Sequence, residues 1–290
     1  MSIRTSASLI IVNATKGVVL MGRRSGNVSF MPNAYVFPGG NVELNDEKLP
    51  ATLTNLTTCS APADFGRRVA AVRELFEECG LLPVVNCHNQ RRLLNATSDQ
   101  MVREWHSAIS EGHRSLFDVV SANSNNLLLD ICSLKPFSNW LTPFDYAKRF
   151  DTYFYVMYVD RCEETHVSFQ EFDEVKWVRP SEILTEAHNG NSILAPPQAY
   201  ELTRIVHHGL DDLQRLHSDT KICPQLVDAG SEVIALLNGD YAYKDGQNST
   251  KTPMRPISDA ERNHREGDRI HRITFGKKPL WSNIKIYSSQ

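Results

Sequence analysis

Hydrophobic positions follow two rhythms along this chain. Residues 7–12 and 18–23 are dense in aliphatic and β-branched side chains, and Asn13-Ala14-Thr15-Lys16-Gly17 separates them. That pattern predicts two strands joined as an opening hairpin. Residues 35–37 form a third short apolar run, which ends in the glycine turn Pro38-Gly39-Gly40. Over 64–80 the period changes to 3.6 residues, so Val69, Val72, Phe76 and Cys79 gather on one side of a helix. Asp64 stands where an N-cap belongs and Gly80 where a helix wants a left-handed residue. Residues 81–85 predict another strand. Residues 98–123 read as helical, with Met101, Trp105, Ile109, Leu116, Val119 and Val120 marking the apolar side.

Further strands are predicted around Trp140, over 152–159 and over 175–178. Pro180 opens a helix with Ser181 as its cap, and Pro196-Pro197 opens a longer one running to about His217. Beyond residue 244 the periodicity weakens until 269–275 and 283–287, which are expected to pair as a late hairpin. Strands interspersed with helices predict an α/β fold, layered α/β/α around a mixed sheet. The expected organisation is a domain over 1–190, carrying an inserted loop near 47–65, and a mainly helical extension over 191–290 packed on it.

Composition changes this picture little. Hydrophobic residues make up 41% and charged residues 22%, as in ordinary globular proteins. The net charge of −3 excludes a nucleic-acid binder that works through its whole surface. Residues 1–30 carry four basic groups and no acidic one, and residues 244–290 carry ten basic against five acidic. Basic ends around an acidic centre suit a polyanionic ligand whose phosphates reach beyond a metal site; charges scattered over solvated surface account for them equally well. The six cysteines show neither Cys-x-x-Cys spacing nor a disulfide framework, which makes a reducing compartment the default. No apolar run is long enough to span a membrane. The histidines, including His207-His208, His264 and His271, have no zinc-spaced partner.

The informative stretch is Arg73-Glu-Leu-Phe-Glu-Glu-Cys-Gly-Leu81. Glu74, Glu77 and Glu78 share one face of the predicted helix, where like charges three and four residues apart destabilise by about 0.2–0.5 kcal/mol per pair. Something positive must relieve them, and hard divalent cations such as Mg²⁺ prefer carboxylate oxygens. On its own a glutamate-rich helix face is solvated surface. The pattern Arg-Glu-aliphatic-x-Glu-Glu-x-Gly-aliphatic behind Gly39-Gly40, however, closely resembles the signature of the Nudix hydrolases. One departure is visible. Counting from Gly40, Asp46 holds the acidic position of the signature, but twenty-six residues separate it from Arg73 where the family has seven. The acidic partner of Arg73 is therefore left open. The extra stretch, near 47–65, is rich in Thr, Asn, Ser and Pro and reads as a surface loop.

The resemblance implies metal-dependent hydrolysis of a phosphoanhydride. Glu74, Glu77 and Glu78 are the implied ligands of Mg²⁺ or Mn²⁺, with a backbone carbonyl from Gly39 completing the shell. Arg73 is the implied orienting residue. Family members recruit another carboxylate from a loop ahead of a late strand; here Glu171 is the first candidate for a metal or base role and Glu174 the second. Arg23 and Arg24 are the expected substrate contacts. Phe30 to Gly40, Trp140-Leu-Thr-Pro143, Arg149-Phe-Asp-Thr152 and Pro196-Pro-Gln198 occur in the order of the motif 19 branch, described as coenzyme A and acyl-coenzyme A diphosphatases. That branch implies cleavage of a CoA-type nucleotide to 3′,5′-ADP and 4′-phosphopantetheine, with no DNA or membrane partner. Other nucleotides as substrates, or a catalytically silent nucleotide-binding module, are the competing readings. Animal relatives of the branch end in a Ser-Lys-Leu-like tripeptide, whereas Ser288-Ser289-Gln290 is a poor peroxisomal signal, so peroxisome and cytosol both stay open. Acyl-chain preference and oligomeric state are not legible.

Overall fold

The computed structural model describes residues 3–56, 62–86, 88, 90–123, 127–144, 146–165, 171–244, 254–258, 261, 265–277 and 281–288. The chain opens with β1 (Arg4–Asn13) and β2 (Val18–Arg24), antiparallel through Val12↔Val19, as expected for the opening hairpin. Two short strands, β3 (Ala34–Val36) and β4 (Gly39–Asn41), lead to α1 (Leu44–Lys48) and a 3₁₀ turn (Ala51–Leu53). The glutamate helix α2 (Phe65–Cys79) follows, then β5 (Leu81–Asn86) and β6 (Arg91–Asn95). The stretch expected to be helical holds α3 (Gln100–Ser110) and α4 (Leu116–Ala122). Next come β7 (Leu127–Leu129), β8 (Lys135–Leu141), β9 (Phe150–Tyr158), β10 (Phe172–Val178), α5 (Pro180–His188), β11 (Ile193–Leu194) and α6 (Pro196–His208). After a second 3₁₀ turn (Leu213–Leu216) come β12 (Lys221–Ile222), β13 (Gln225–Asp228), β14 (Glu232–Leu236), β15 (Arg255–Pro256), β16 (His271–Gly276) and β17 (Lys285–Ser288).

The central mixed sheet runs β11-β3-β2-β1-β9-β8-β12, with β10 also on β2 and β4 also on β1. Its spine is the parallel pairing of β1 with β9 from Arg4↔Phe150 to Val12↔Tyr158. Ala7, Leu9 and Ile11 pack with Val69, Val72 and Phe76 of α2 in one cluster. Ile10 and Val12 pack with Ile183 of α5 and Ala199 and Leu202 of α6 in the other. Covered on both faces, β1 reads as an unbroken apolar run rather than an alternation.

Several expectations need correction. The stretch over 191–290 is mainly strand, not mainly helical: β13 to β17 form a five-stranded sheet in the order β15-β13-β14-β16-β17. Its Val233, Ala235, Ile273 and Phe275 share a hydrophobic cluster with α6, so strand residues rather than helical stripes bury this surface. The late hairpin is present as β16 and β17, antiparallel through Thr274↔Lys285. Helix α6 stops before Gly209 rather than near His217, because the glycine ends the helix and the chain continues to a separate 3₁₀ turn. Ser181 does not cap α5; Pro180 takes the first helical position, where its missing N–H costs nothing, and Arg179 is the N-cap. Met101 is 47% exposed, and Val102 takes its place on the buried side of α3. Asp64 is the N-cap of α2, yet its carboxylate accepts from Arg68 Nε and the Tyr155 hydroxyl instead of from the helix backbone.

Within the inserted stretch, Leu49 and Leu53 are buried, and Asn55 bonds to Asp130 and to the backbone of Ile131 and Cys132. Residues 57–61 of that stretch, Cys59, Cys87, His264 and the terminal Ser289-Gln290 lie outside the described residues. Cys79, Cys132, Cys162 and Cys223 are free thiols. Among the described residues, no helix is long and apolar enough to cross a membrane.

Candidate active site

The centre lies where α2 crosses the β3–β4 corner. Helix α2 ends on Gly80, whose φ of 68° is the left-handed conformation the sequence expected there, and its N–H donates to Phe76 O at 2.9 Å. This fixes the last turn, from which Glu77 and Glu78 project. On the facing strand, a Cβ on Gly40 would stand 2.3 Å from Glu74 Oε1. A larger residue would have to displace that carboxylate, which Arg73 Nη1 holds at 3.0 Å. The Gly39 N–H donates to Glu78 Oε2 at 2.8 Å, while Glu78 Oε1 is buried with no hydrogen-bond partner.

Arg73 is the hub. Its Nε and Nη2 form a fork on Asp46 at 2.9 and 3.0 Å, and Nη2 also donates to Asn41 O at 2.8 Å. Its Nη1 reaches both Glu74 and Glu77 at 3.0 Å. The insertion therefore does not separate Asp46 from Arg73: α1 folds back over α2 and presents Asp46, only 2% exposed, to the guanidinium. Asp46 also accepts the Glu43 N–H at 2.8 Å and so closes the first turn of α1.

Glu171 enters from the turn before β10, whose backbone is tied to the end of β2 by the Ser25 N–H on Glu171 O at 2.8 Å. Its carboxylate lies close enough to add its charge to Glu74 and Glu78. Burial, then the charges of Glu77 and Glu171, push Glu74 up to about 7 against the pull of Arg73. Burial also raises Glu77, opposed by Arg73, and raises Glu78 well above the carboxylate range, with Glu74 and Glu171 adding to the shift. For Arg73, burial works against its charge, but Asp46, Glu74 and Glu77 outweigh it and hold it protonated. One guanidinium, bonded to three carboxylates, thus stands in a centre of five, and one of the five has a buried, unbonded oxygen. The centre is short of positive charge.

The donors are all oxygens, the set that hard divalent cations take. Among the described residues, no three His, Cys, Asp or Glu side chains are already gathered as a metal-holding group, and Arg73 Nη1 bonds to both Glu74 and Glu77. The other expected site residues lie elsewhere. Glu174 accepts the Tyr35 hydroxyl at 2.6 Å and pairs with Arg23 at 3.5 Å, so Glu171 is the late carboxylate that reaches the cluster. Arg23 also faces Asp173 at 3.9 Å, and Arg24 donates to Phe30 O at 3.1 Å; neither bonds to the glutamates. A group the sequence did not single out is His106 on α3, 3% exposed, whose Nε2 lies 3.0 Å from Glu77 O at the end of α2. It serves one of the carbonyls that a helix C-terminus leaves unpaired. Its contact crosses twenty-nine residues, and nothing local announces it.

A glutamate helix held against a glycine strand of a mixed sheet is the architecture of a Nudix hydrolase. A family model described as the NUDT19 Nudix domain matches residues 49–205. The chain is 32% identical to the putative nudix hydrolase 7 of Caenorhabditis elegans, over 98% of this chain and 89% of that protein. It is 26% identical to the acyl-coenzyme A diphosphatase NUDT19 of Xenopus laevis, over 94% of this chain and 85% of the relative. For the human protein of the same name the identity is also 26%, over 91% and 82%. In fold it is similar to a NUDIX hydrolase from Alicyclobacillus acidocaldarius, with a TM-score of 0.59 and 24% identity, over 71% of this chain and 92% of that one. The chain belongs to the Nudix hydrolase family, in its NUDT19 branch.

Proposed function

We propose that the protein hydrolyses the phosphoanhydride of coenzyme A or an acyl-coenzyme A, releasing 3′,5′-ADP and 4′-phosphopantetheine or its acyl form. The observation that carries the chemistry is the crowded cluster of Glu74, Glu77, Glu78 and Glu171, in which Glu78 Oε1 is buried and unbonded. The names of the NUDT19 relatives support the choice of substrate.

Glu74, Glu77 and Glu78 would hold Mg²⁺ or Mn²⁺, with Gly39 beside them, and Glu171 would supply the oxygen from the opposing turn. Such a cation neutralises the phosphate charge and lowers the pKa of a bound water. The chain's own residues do the rest. The Asp46 fork fixes Arg73, and Arg73 in turn spaces Glu74 from Glu77. The Gly39 N–H orients Glu78. In the reaction water adds its oxygen to one phosphorus, and the bridging oxygen leaves with the other. The proton that the water gives up passes to a carboxylate left free by the cation or to solvent.

Purified protein incubated with coenzyme A and Mg²⁺ should release 3′,5′-ADP, separated by chromatography. No release from coenzyme A, together with turnover of another dinucleotide, would overturn the substrate assignment. Full activity in both Glu77→Gln and Glu78→Gln would overturn the site.

A further inference from the structure

Arg67 lies on the flank of α2 that carries the glutamates. Positions 67, 74 and 78 are two and three helical turns apart and share one stripe, while Ala70 and Ala71 between them are buried against the sheet. At 1.5 Å per residue, Arg67 stands about 10 Å from Glu74 along the helix axis. The sheet beneath gives the same spacing. Gly40, which Glu74 touches, pairs with Ala7 on β1, and Ala7 pairs with Tyr153 on β9. Two strand steps span about 10 Å. The Arg67 guanidinium sits over that Tyr153 ring, 3.9 Å from its centre.

The neighbouring arginines are engaged by protein groups. Arg68 binds Asp64 at 2.9 Å and the carbonyls of Ile131 and Leu134. Arg73 is saturated by Asp46, Glu74, Glu77 and Asn41. Arg23 faces two carboxylates of β10. Among the described residues, Arg67 has no ion pair and no hydrogen bond, and its Nε is buried without a partner. Stacking on an aromatic face leaves the edge of the guanidinium free, and that rigid fork matches a phosphate.

We propose that Arg67 recognises a second phosphate of the substrate, the 3′-phosphate of the coenzyme A nucleotide. The inference rests on the reading of coenzyme A as substrate. With the anhydride at the glutamates, a phosphate about 10 Å from them would meet Arg67, the one arginine of this helix that protein carboxylates do not neutralise. The Tyr153 ring then holds the cation in place before substrate arrives. Arg67 is a specificity residue and takes no part in bond breaking.

The test compares coenzyme A with dephospho-coenzyme A, which has the same anhydride and lacks only the 3′-phosphate. Wild-type protein should favour coenzyme A in kcat/KM by about tenfold or more, the size of one charge-assisted pair. In Arg67→Met that ratio should collapse toward one, and Arg67→Lys should fall between. An unchanged ratio in Arg67→Met, an equal loss on both substrates, or no preference in the wild type would overturn the proposal. Calorimetry supplies an independent reading that needs no turnover. Wild-type protein should bind 3′,5′-ADP about tenfold more tightly than 5′-AMP, with the difference lost in Arg67→Met. Equal affinities in the wild type would overturn the role of Arg67. Absence of 3′,5′-ADP release from coenzyme A would instead overturn the substrate reading, and calorimetry would still decide for or against Arg67.

Discussion

Replacing Arg73 with methionine removes the one cation that Asp46, Glu74 and Glu77 share. Asp46 is 2% exposed and Arg73 8%, so water cannot take over the lost partner. Stripping one member from a buried ion pair costs about 3–5 kcal/mol, most of it from the charge left behind. Arg73→Met should therefore lower the unfolding free energy by about 3–5 kcal/mol. Asp46→Asn should cost less, about 1–3 kcal/mol, because Arg73 keeps Glu74, Glu77 and the Asn41 carbonyl. The double variant should fall short of the sum by about 1–3 kcal/mol, since the two share a fork at 2.9 and 3.0 Å. Urea unfolding followed by circular dichroism, with chelator present and at constant pH, reads all three quantities. A loss below about 1 kcal/mol in Arg73→Met, the behaviour of an exposed pair, would refute the packing of α1 over α2.

Other outcomes follow from the same cluster. The folded-state pKa of Glu74, about 7, lies above its ordinary 4.5, so between these values the folded chain binds the extra proton and stability falls as pH rises. For chelated protein Glu74 contributes about 3 kcal/mol at most to that loss, which should shrink in Glu74→Gln or with excess Mg²⁺; a melting temperature that rises from about pH 6 to 8 would contradict this. Gly40→Ala places a methyl 2.3 Å from Glu74 Oε1, so Mn²⁺ affinity measured by electron paramagnetic resonance should drop, and wild-type affinity would contradict the close approach. His106→Phe keeps the ring packing on Phe76 but loses the donor to Glu77 O. Its kcat should fall about fivefold, the weight of one hydrogen bond, with KM little changed and recovery in His106→Gln. Equal rates for the two variants would remove His106 from the account.

What could be read from the chain depended on how far apart the interacting residues stand. Glu74, Glu77, Glu78 and the Gly80 stop are local patterns, and each occupies the position its spacing implied, whereas Gly39 and Gly40, expected as a turn, lie in β4 paired with β1. The Asp46–Arg73 pair spans twenty-seven positions, and the sequence could not show that α1 bridges them. His106 and the stack of Arg67 on Tyr153 depend on how α3 and β9 pack against α2, which no period reveals. The helical expectation for the last hundred residues failed because β14 carries a continuous apolar run, Val233 to Leu236, which periodicity cannot tell from a buried helix turn. The paired runs that became β16 and β17 were legible from Ile273-Thr274-Phe275 and Ile286-Tyr287, which are β-branched and aromatic residues.

The most direct test of the account is one incubation series with coenzyme A, comparing wild type and Glu78→Gln at matched protein and Mg²⁺ concentrations, with products identified by mass spectrometry. The account predicts 3′,5′-ADP and 4′-phosphopantetheine in equal amounts from the wild type, none with chelator, and turnover lowered by at least about a hundredfold in a Glu78→Gln protein that melts normally. Undiminished release by Glu78→Gln, or release that chelator leaves untouched, would contradict it.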